Sequence, residues 1–244
     1  MSASRKSAGL GVAMAGVLVA LVGATSVEAA PSAPNRTQRT PTLPPRAVTL
    51  PSASQAQPAP QTVALAPLSA AQKSAFVASV NALRASVGAT VMPQLAWDEN
   101  LATYAAGVAK SCSVEHSPAE ARKNIPGWVG TYVGENVAAA TITGLTLGDA
   151  TNTTKVSAMF DQGLGMWWAE KAHYDLAANT CKPGQVCGHY TQLVWSTSTK
   201  IGCAVALCTP QKTFNAPGFT LACELGAGGN TFGQRPYTAS SSAP

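Results

Sequence analysis

The chain has 244 residues, of which 46% are hydrophobic and only 11% charged, and its formal charge is +5. Five basic residues (Arg5, Lys6, Arg36, Arg39, Arg46) precede Leu68 against one acid, Glu28, which leaves eleven basic and ten acidic residues beyond. A near-neutral remainder without a basic cluster argues against nucleic acid as a partner.

Arg5 and Lys6 lead into an apolar run from Ala8 to Val22, and Val27-Glu28-Ala29 has the form of a small-residue cleavage site. Residues 1–29 therefore read as a signal peptide cut after Ala29, and the protein as secreted. Gly9, Gly11, Gly16 and Gly23 make the run marginal for spanning hydrocarbon, and no second long apolar stretch follows, so no transmembrane anchor is expected. Residues 30–67 are rich in Pro, Ser and Thr, and nine of the seventeen prolines fall between Pro31 and Pro67. Such a stretch cannot bury a core and reads as a disordered linker. Residues 68–238 suffice for one domain with a proper core, and 239–244 read as a disordered tail.

In the domain, Ser69 precedes Phe76, Val77, Val80, Leu83 and Val87 at helical spacing, with Gly88 as a stop. Asp98 can cap a second helix carrying Leu101, Tyr104, Ala105 and Val108 and ending near Cys112. A third runs from about Thr154 to about Lys171 and tolerates Gly163 and Gly165 at some cost. His189 to Trp195, Ile201 to Leu207 and Phe219 to Glu224 read as short antiparallel strands. Helices first and strands last indicate an α+β domain with helices packed on an antiparallel sheet.

All six cysteines (Cys112, Cys181, Cys187, Cys203, Cys208, Cys223) lie in this domain, and an even count behind a signal peptide implies disulfides. Their spacing lacks the matched knuckles of a zinc cluster, and by itself leaves the pairing open. Asn35 and Asn152 begin Asn-x-Thr glycan acceptor patterns. The H-E-x-x-H, G-x-S-x-G and phosphate-loop patterns are absent. What remains is a sparse set: His116, Glu135, Glu170, His173 and His189. Taken singly, each is ordinary, and spacing alone does not bring them together.

Gly188 to Ser198, GHYTQLVWSTS, resembles the signature of the CAP superfamily of cysteine-rich secretory, antigen 5 and pathogenesis-related proteins. CSVEHS, GENVAA, the Trp167, Glu170 and Tyr174 pattern and IGCA follow the same order, so the resemblance spans about Leu68 to Tyr237. It departs at Val80-Asn81-Ala82-Leu83-Arg84, which lacks the leading histidine, and at Cys223-Glu224-Leu225, which lacks the tyrosine. The cysteine placement looks like the plant pathogenesis-related branch, which implies Cys112 with Cys208, Cys181 with Cys187, and Cys203 with Cys223.

The resemblance implies a three-layer α-β-α sandwich whose central cleft holds His116, Glu135, Glu170 and His189, with His173 left at the surface. It implies a secreted, non-enzymatic protein that binds a sterol or fatty acid or acts in defence or host interaction. No cofactor is required, though His116 and His189 are candidate ligands for Zn²⁺ or another divalent cation, with Glu135 and Glu170 orienting them or holding waters. The alternatives are a metal-assisted hydrolase using the same cleft and a module displayed at a cell wall. The loop from Tyr174 to Thr180 holds a single aromatic, so only modest sterol binding is expected.

Overall fold

A computed structural model describes residues 61–241; the assigned signal peptide, most of the Pro-rich segment and residues 242–244 lie outside the described residues. In chain order the elements are β1 (Thr62–Leu65), α1 (Ala70–Ala85), β2 (Ala96–Trp97), α2 (Glu99–Ala109), α3 (Ala119–Arg122), β3 (Val133–Thr141) and α4 (Thr153–Ala169). There follow β4 (Tyr174–Asp175), β5 (Thr180–Cys181), α5 (Gly188–Leu193), β6 (Lys200–Gln211) and β7 (Ala216–Gly226).

Each long helix begins where a side chain can satisfy its free amides. Ser69 and Gln72 form a reciprocal capping box on α1, with Oγ accepting from the Gln72 amide at 3.2 Å and Oε1 from the Ser69 amide at 3.1 Å. Asp98 accepts from the Asn100 and Leu101 amides of α2, and Asn152 from the Lys155 amide of α4. Gly88, at φ +67, takes the left-handed conformation just beyond α1.

The main sheet runs β1-β6-β7-β3, antiparallel throughout, with β2 added parallel to β6. On one face α1 and α4 lay Phe76, Val80, Met159, Phe160, Leu164 and Trp167 against Ile201, Val205, Leu207, Phe219, Leu221 and Leu225. On the other face α2 packs Ala105, Val108 and Ala109 against Val137, Ala204, Ala206 and Ala222. This is the expected α-β-α sandwich, with a thick aromatic layer on one side and, on the other, methyl groups flanked by a cluster of Leu101, Ile125 and Val133 with Tyr104 and Trp128. Cys112–Cys208 ties the end of α2 to β6, Cys203–Cys223 joins directly opposed residues of β6 and β7, and Cys181–Cys187 closes the segment between β5 and α5.

Three elements differ from the sequence reading. Residues 189–195, expected as a strand, form α5 and the turn after it, where the Thr191 amide donates to the Cys187 carbonyl at 2.9 Å. Tyr190, Thr191, Gln192 and Leu193 are all buried, and a short run buried on every side carries no period to separate helix from strand. Val133–Thr141, not assigned to any element, is β3: most of its residues are buried, and its alanines give no strand propensity. Thr62–Leu65, inside the stretch assigned to the linker, pairs with Ala206–Thr209 as β1.

Two glycines in this packing should respond oppositely to a methyl group. A Cβ at Gly202 would sit 2.2 Å from the Ala102 amide nitrogen, backbone that cannot give way, so Gly202→Ala should cost about 3 kcal/mol or more. A Cβ at Gly165, within α4, meets nothing within 4 Å, so Gly165→Ala should stabilise by about 0.5–1 kcal/mol. Urea unfolding of the two variants checks both signs.

Candidate functional site

β3 is an edge strand, and its side chains alternate between the two faces of the sheet. Glu135 points to the α2 side, opposite Glu224 of β7. The next residue, Asn136, points to the α4 side, where its Nδ2 donates to the His189 carbonyl at 3.0 Å. The four residues named by the resemblance meet around this edge, one His–Glu pair on each face.

On the α2 side, the loop after α2 is folded by Ser111 and Ser113, whose hydroxyls accept from the Ser113 and Glu115 amides. That places His116 Nδ1 2.7 Å from Glu135 Oε1. Glu135 also accepts from the Ser117 amide at 2.9 Å and the Ser117 hydroxyl at 2.6 Å. Arg122 of α3 lies 3.6 Å from the same carboxylate and donates to the Val133 carbonyl, the Ser117 hydroxyl and the Ser117 carbonyl. Burial alone would push the Glu135 carboxyl up, but the His116 and Ser117 hydrogen bonds outweigh it and hold the group below the usual carboxylate range. Glu135 is therefore a buried anion with its partners in place.

On the α4 side, Glu170 directly follows α4 and meets the first turn of α5. Its Oε2 accepts from the His189 and Tyr190 amides at 3.0 and 3.1 Å, and its Oε1 lies 2.6 Å from His189 Nδ1. The His189 ring stacks on Trp167 at 6.1 Å between centroids and lies 6.1 Å from His116, the two imidazoles tilted by 28°. The carboxylates lie deep, with side chains 0% and 13% exposed, and the imidazoles face solvent, at 53% for His116 and 23% for His189.

With Nδ1 of each ring engaged by a carboxylate, Nε2 is the free ring nitrogen on both. Among the described residues no group of three or more His, Cys, Asp or Glu is arranged to hold a metal ion. A closed structural site is thus not built here, and the donor set is two imidazoles with open positions. Beside His116 an apolar-walled groove of about 610 Å³ follows the outer face of α2, past Tyr104, Gly107, Val108 and Pro126. His173, expected at the surface, is half-buried and outside the cleft set, its Nδ1 unpartnered. Sequence reasoning missed Ser117, Arg122 and Asn136, which hold the carboxylate and α5 in place. The only available signal was their closeness to His116 and Glu135 in the chain.

Residues 77–225 match the model of the cysteine-rich secretory protein (CAP) family, and the chain belongs to that family. It is 36% identical over 147 residues to pathogenesis-related protein 1B of Nicotiana tabacum, covering 59% of this chain and 69% of that one. It is 34% identical over 152 residues to peptidase inhibitor 16 of Homo sapiens, covering 61% of this chain but only 27% of the human protein. Among solved structures, Na-ASP-1 matches with a TM-score of 0.53 at 24% identity, over 71% of this chain and 43% of that chain. A structure of NaASP2 with Zn²⁺ matches with a TM-score of 0.53 at 23% identity, over 72% of this chain and 90% of that chain.

The two halves of the cleft should differ in what they contribute to stability. Glu135→Ala leaves the buried Arg122 guanidinium without its counter-charge and should cost about 3 kcal/mol or more. Glu170→Ala exposes two amides of a helix start that water can reach, and should cost about 1–2 kcal/mol. Denaturant unfolding at neutral pH tests the order: equal costs would contradict it.

Proposed function

We propose that this chain is a secreted, non-enzymatic CAP protein whose cleft binds a divalent cation such as Zn²⁺ through Nε2 of His116 and His189. The observation that carries the reading is that each Nδ1 is fixed by a carboxylate, which leaves one free nitrogen on each of two neighbouring rings. Imidazole is a borderline donor that suits zinc, and a cation so held would present open positions to a ligand. The matched NaASP2 structure was solved with Zn²⁺, and two imidazoles with a free nitrogen each stand in the cleft here. Ser117, the hydroxyl nearest in sequence to His116, is committed to Glu135, and all six cysteines are bridged, which favours binding over nucleophilic catalysis. Three disulfides and the likeness to pathogenesis-related proteins support an extracellular location.

The groove along α2 supports a second reading, in which an apolar ligand lies beside the cleft. Its lining runs along α2 from Asn100 to Ser111, which suits an extended acyl chain. The loop that would embrace a sterol is pinned: Arg235 donates to the Leu176 and Ala177 carbonyls, and Asn179 is held by the Tyr174 hydroxyl and the Gln234 carbonyl.

Calorimetry with Zn²⁺ at about pH 7.5 should show binding that weakens as the pH is lowered, because zinc and protons compete for the same ring nitrogens. The pair His116→Ala with His189→Ala should abolish it, and Glu135→Gln or Glu170→Gln should weaken it about 10–100-fold. No binding by the wild type, or undiminished binding by the double variant, would overturn the proposal. For the second reading, cholesterol should bind weakly while a fatty acid competes with Gly107→Phe, whose side chain would fill the groove. Tight cholesterol binding unaffected by that change would place the ligand elsewhere.

A further inference from the structure

Glu224 is the one acidic side chain in the β7 ladder beside the cleft, and it has no role in the arrangement described so far. It lies directly opposite Glu135 on the same face of adjacent strands, and Gly202 of β6 lies opposite it on the other side. It is 0% exposed, and among the described residues neither carboxyl oxygen has a hydrogen-bond partner. The first turn of α2 closes over this spot, since a Cβ at Gly202 would lie 2.5 Å from the Asp98 carbonyl and 2.7 Å from the Leu101 carbonyl carbon.

Two opposed carboxyls in a sealed place cannot both be anions unless enough cationic donors reach them. The donors reach only one. His116, both Ser117 groups and Arg122 are directed to Glu135, and none donates to Glu224. On α2, the Asp98 carboxylate is committed to the Asn100 and Leu101 amides and to Trp128 Nε1, and Glu99 pairs outward with Lys73. The α2 side therefore offers no cation to Glu224.

From this geometry we infer that Glu224 carries its proton at neutral pH and sets a neutral acid opposite Glu135, acting as a positioning residue for the carboxylate that orients His116. The His116 limb of the cleft is then a line of three groups, a neutral acid, an anion and an imidazole, whereas the His189 limb has only two. Burial first, and repulsion from Glu135 second, push the Glu224 carboxyl up to about 10, which agrees with this assignment. The inference deepens the cleft reading by adding a residue to it, but the protonation state of Glu224 stands or falls without any metal.

The sign of the pH dependence follows. A group neutral in the fold up to about pH 10 but ionised in the unfolded chain above about 4.5 gives stability that is complete below 4.5 and lost as pH rises toward 10. Glu224→Gln keeps the shape and a donor facing Glu135 while removing the titration.

Infrared spectra of the full chain without metal at neutral pH should show the carbonyl stretch of a protonated carboxyl. It should vanish in E224Q and persist in E170Q. The melting midpoints of wild type and E224Q should lie together near pH 4.5 and separate as pH rises, with the variant higher. Absence of the band in the wild type, its survival in E224Q, or a gap that does not change with pH would overturn the inference. Should E224Q not fold, carboxyl ¹³C resonances of glutamate-labelled wild type decide it: one must stay protonated at pH 7. Because none of these readouts uses zinc, failure to bind zinc with the band present would remove the metal reading alone.

Discussion

Arg84 leaves the last turn of α1 and buries its guanidinium among four carbonyl oxygens, those of Leu193 (2.6 Å), Pro93 (2.8 Å), Trp195 (3.0 Å) and Ser198 (3.1 Å). Burial lowers its pKa only to about 10, so the group remains charged at neutral pH and its hydrogen bonds are charge-assisted. Two of those carbonyls lie at and just beyond the end of α5, a six-residue helix without a side-chain cap of its own. An arginine from a distant helix thus meets the need that helix ends leave open. One turn earlier, Asn81 pairs with both the amide and the carbonyl of Leu95, at 2.8 and 2.9 Å. Together they fix the segment that leads into β2 and the segment that runs from α5 into β6, and with it the helix that carries His189.

At the other end of α5, Glu170 holds the two free amides and the His189 ring with one carboxylate. The short helix is therefore clamped between Arg84 at its end and Glu170 at its start, each contributed by a different element. This explains how so short a helix can present an imidazole in a fixed orientation, which neither its length nor its propensity would secure. Glu135 plays the corresponding part for a loop with no regular structure, gathering His116 and Ser117 and balancing its charge against Arg122.

The three long helices were legible because their caps and apolar spacing are local. Ser69 and Asp98 mark the starts of the first two, while the third was placed from about Thr154 without its cap, Asn152. α5 and β3 were not, for a common reason: both are buried almost throughout, so the contrast between faces that reveals period is missing. Gly134-Glu135-Asn136-Val137-Ala138 reads as neither helix nor strand until β7 lies beside it. The cleft residues came from the likeness of motifs, since nothing in the spacing of His116, Glu135, Glu170 and His189 shows that an edge strand gathers them. Arg84 was visible only as part of a motif. That an arginine at a core position of α1 would be 1% exposed follows from carbonyls contributed more than a hundred residues away.

The burial of Glu224 follows from how closely the first turn of α2 meets the sheet. On the α1 and α4 face, aromatic and branched side chains hold the helices off the sheet. On the α2 face the sheet presents Gly202, Ala204, Ala206 and Ala222, so α2 comes down onto backbone and methyl groups. A carboxyl placed in that ladder lies under the first turn of α2 and is cut off from water. The Cys112–Cys208 bridge then holds the end of α2 to β6, and the loop bearing His116 starts from that bridge. Close packing at Gly202 and the sealed acid opposite Glu135 are thus two results of one choice, a glycine where α2 crosses β6. The α2 wall of the cleft is held by close backbone packing, and the α4 wall by an α5 that is hydrogen-bonded at both ends.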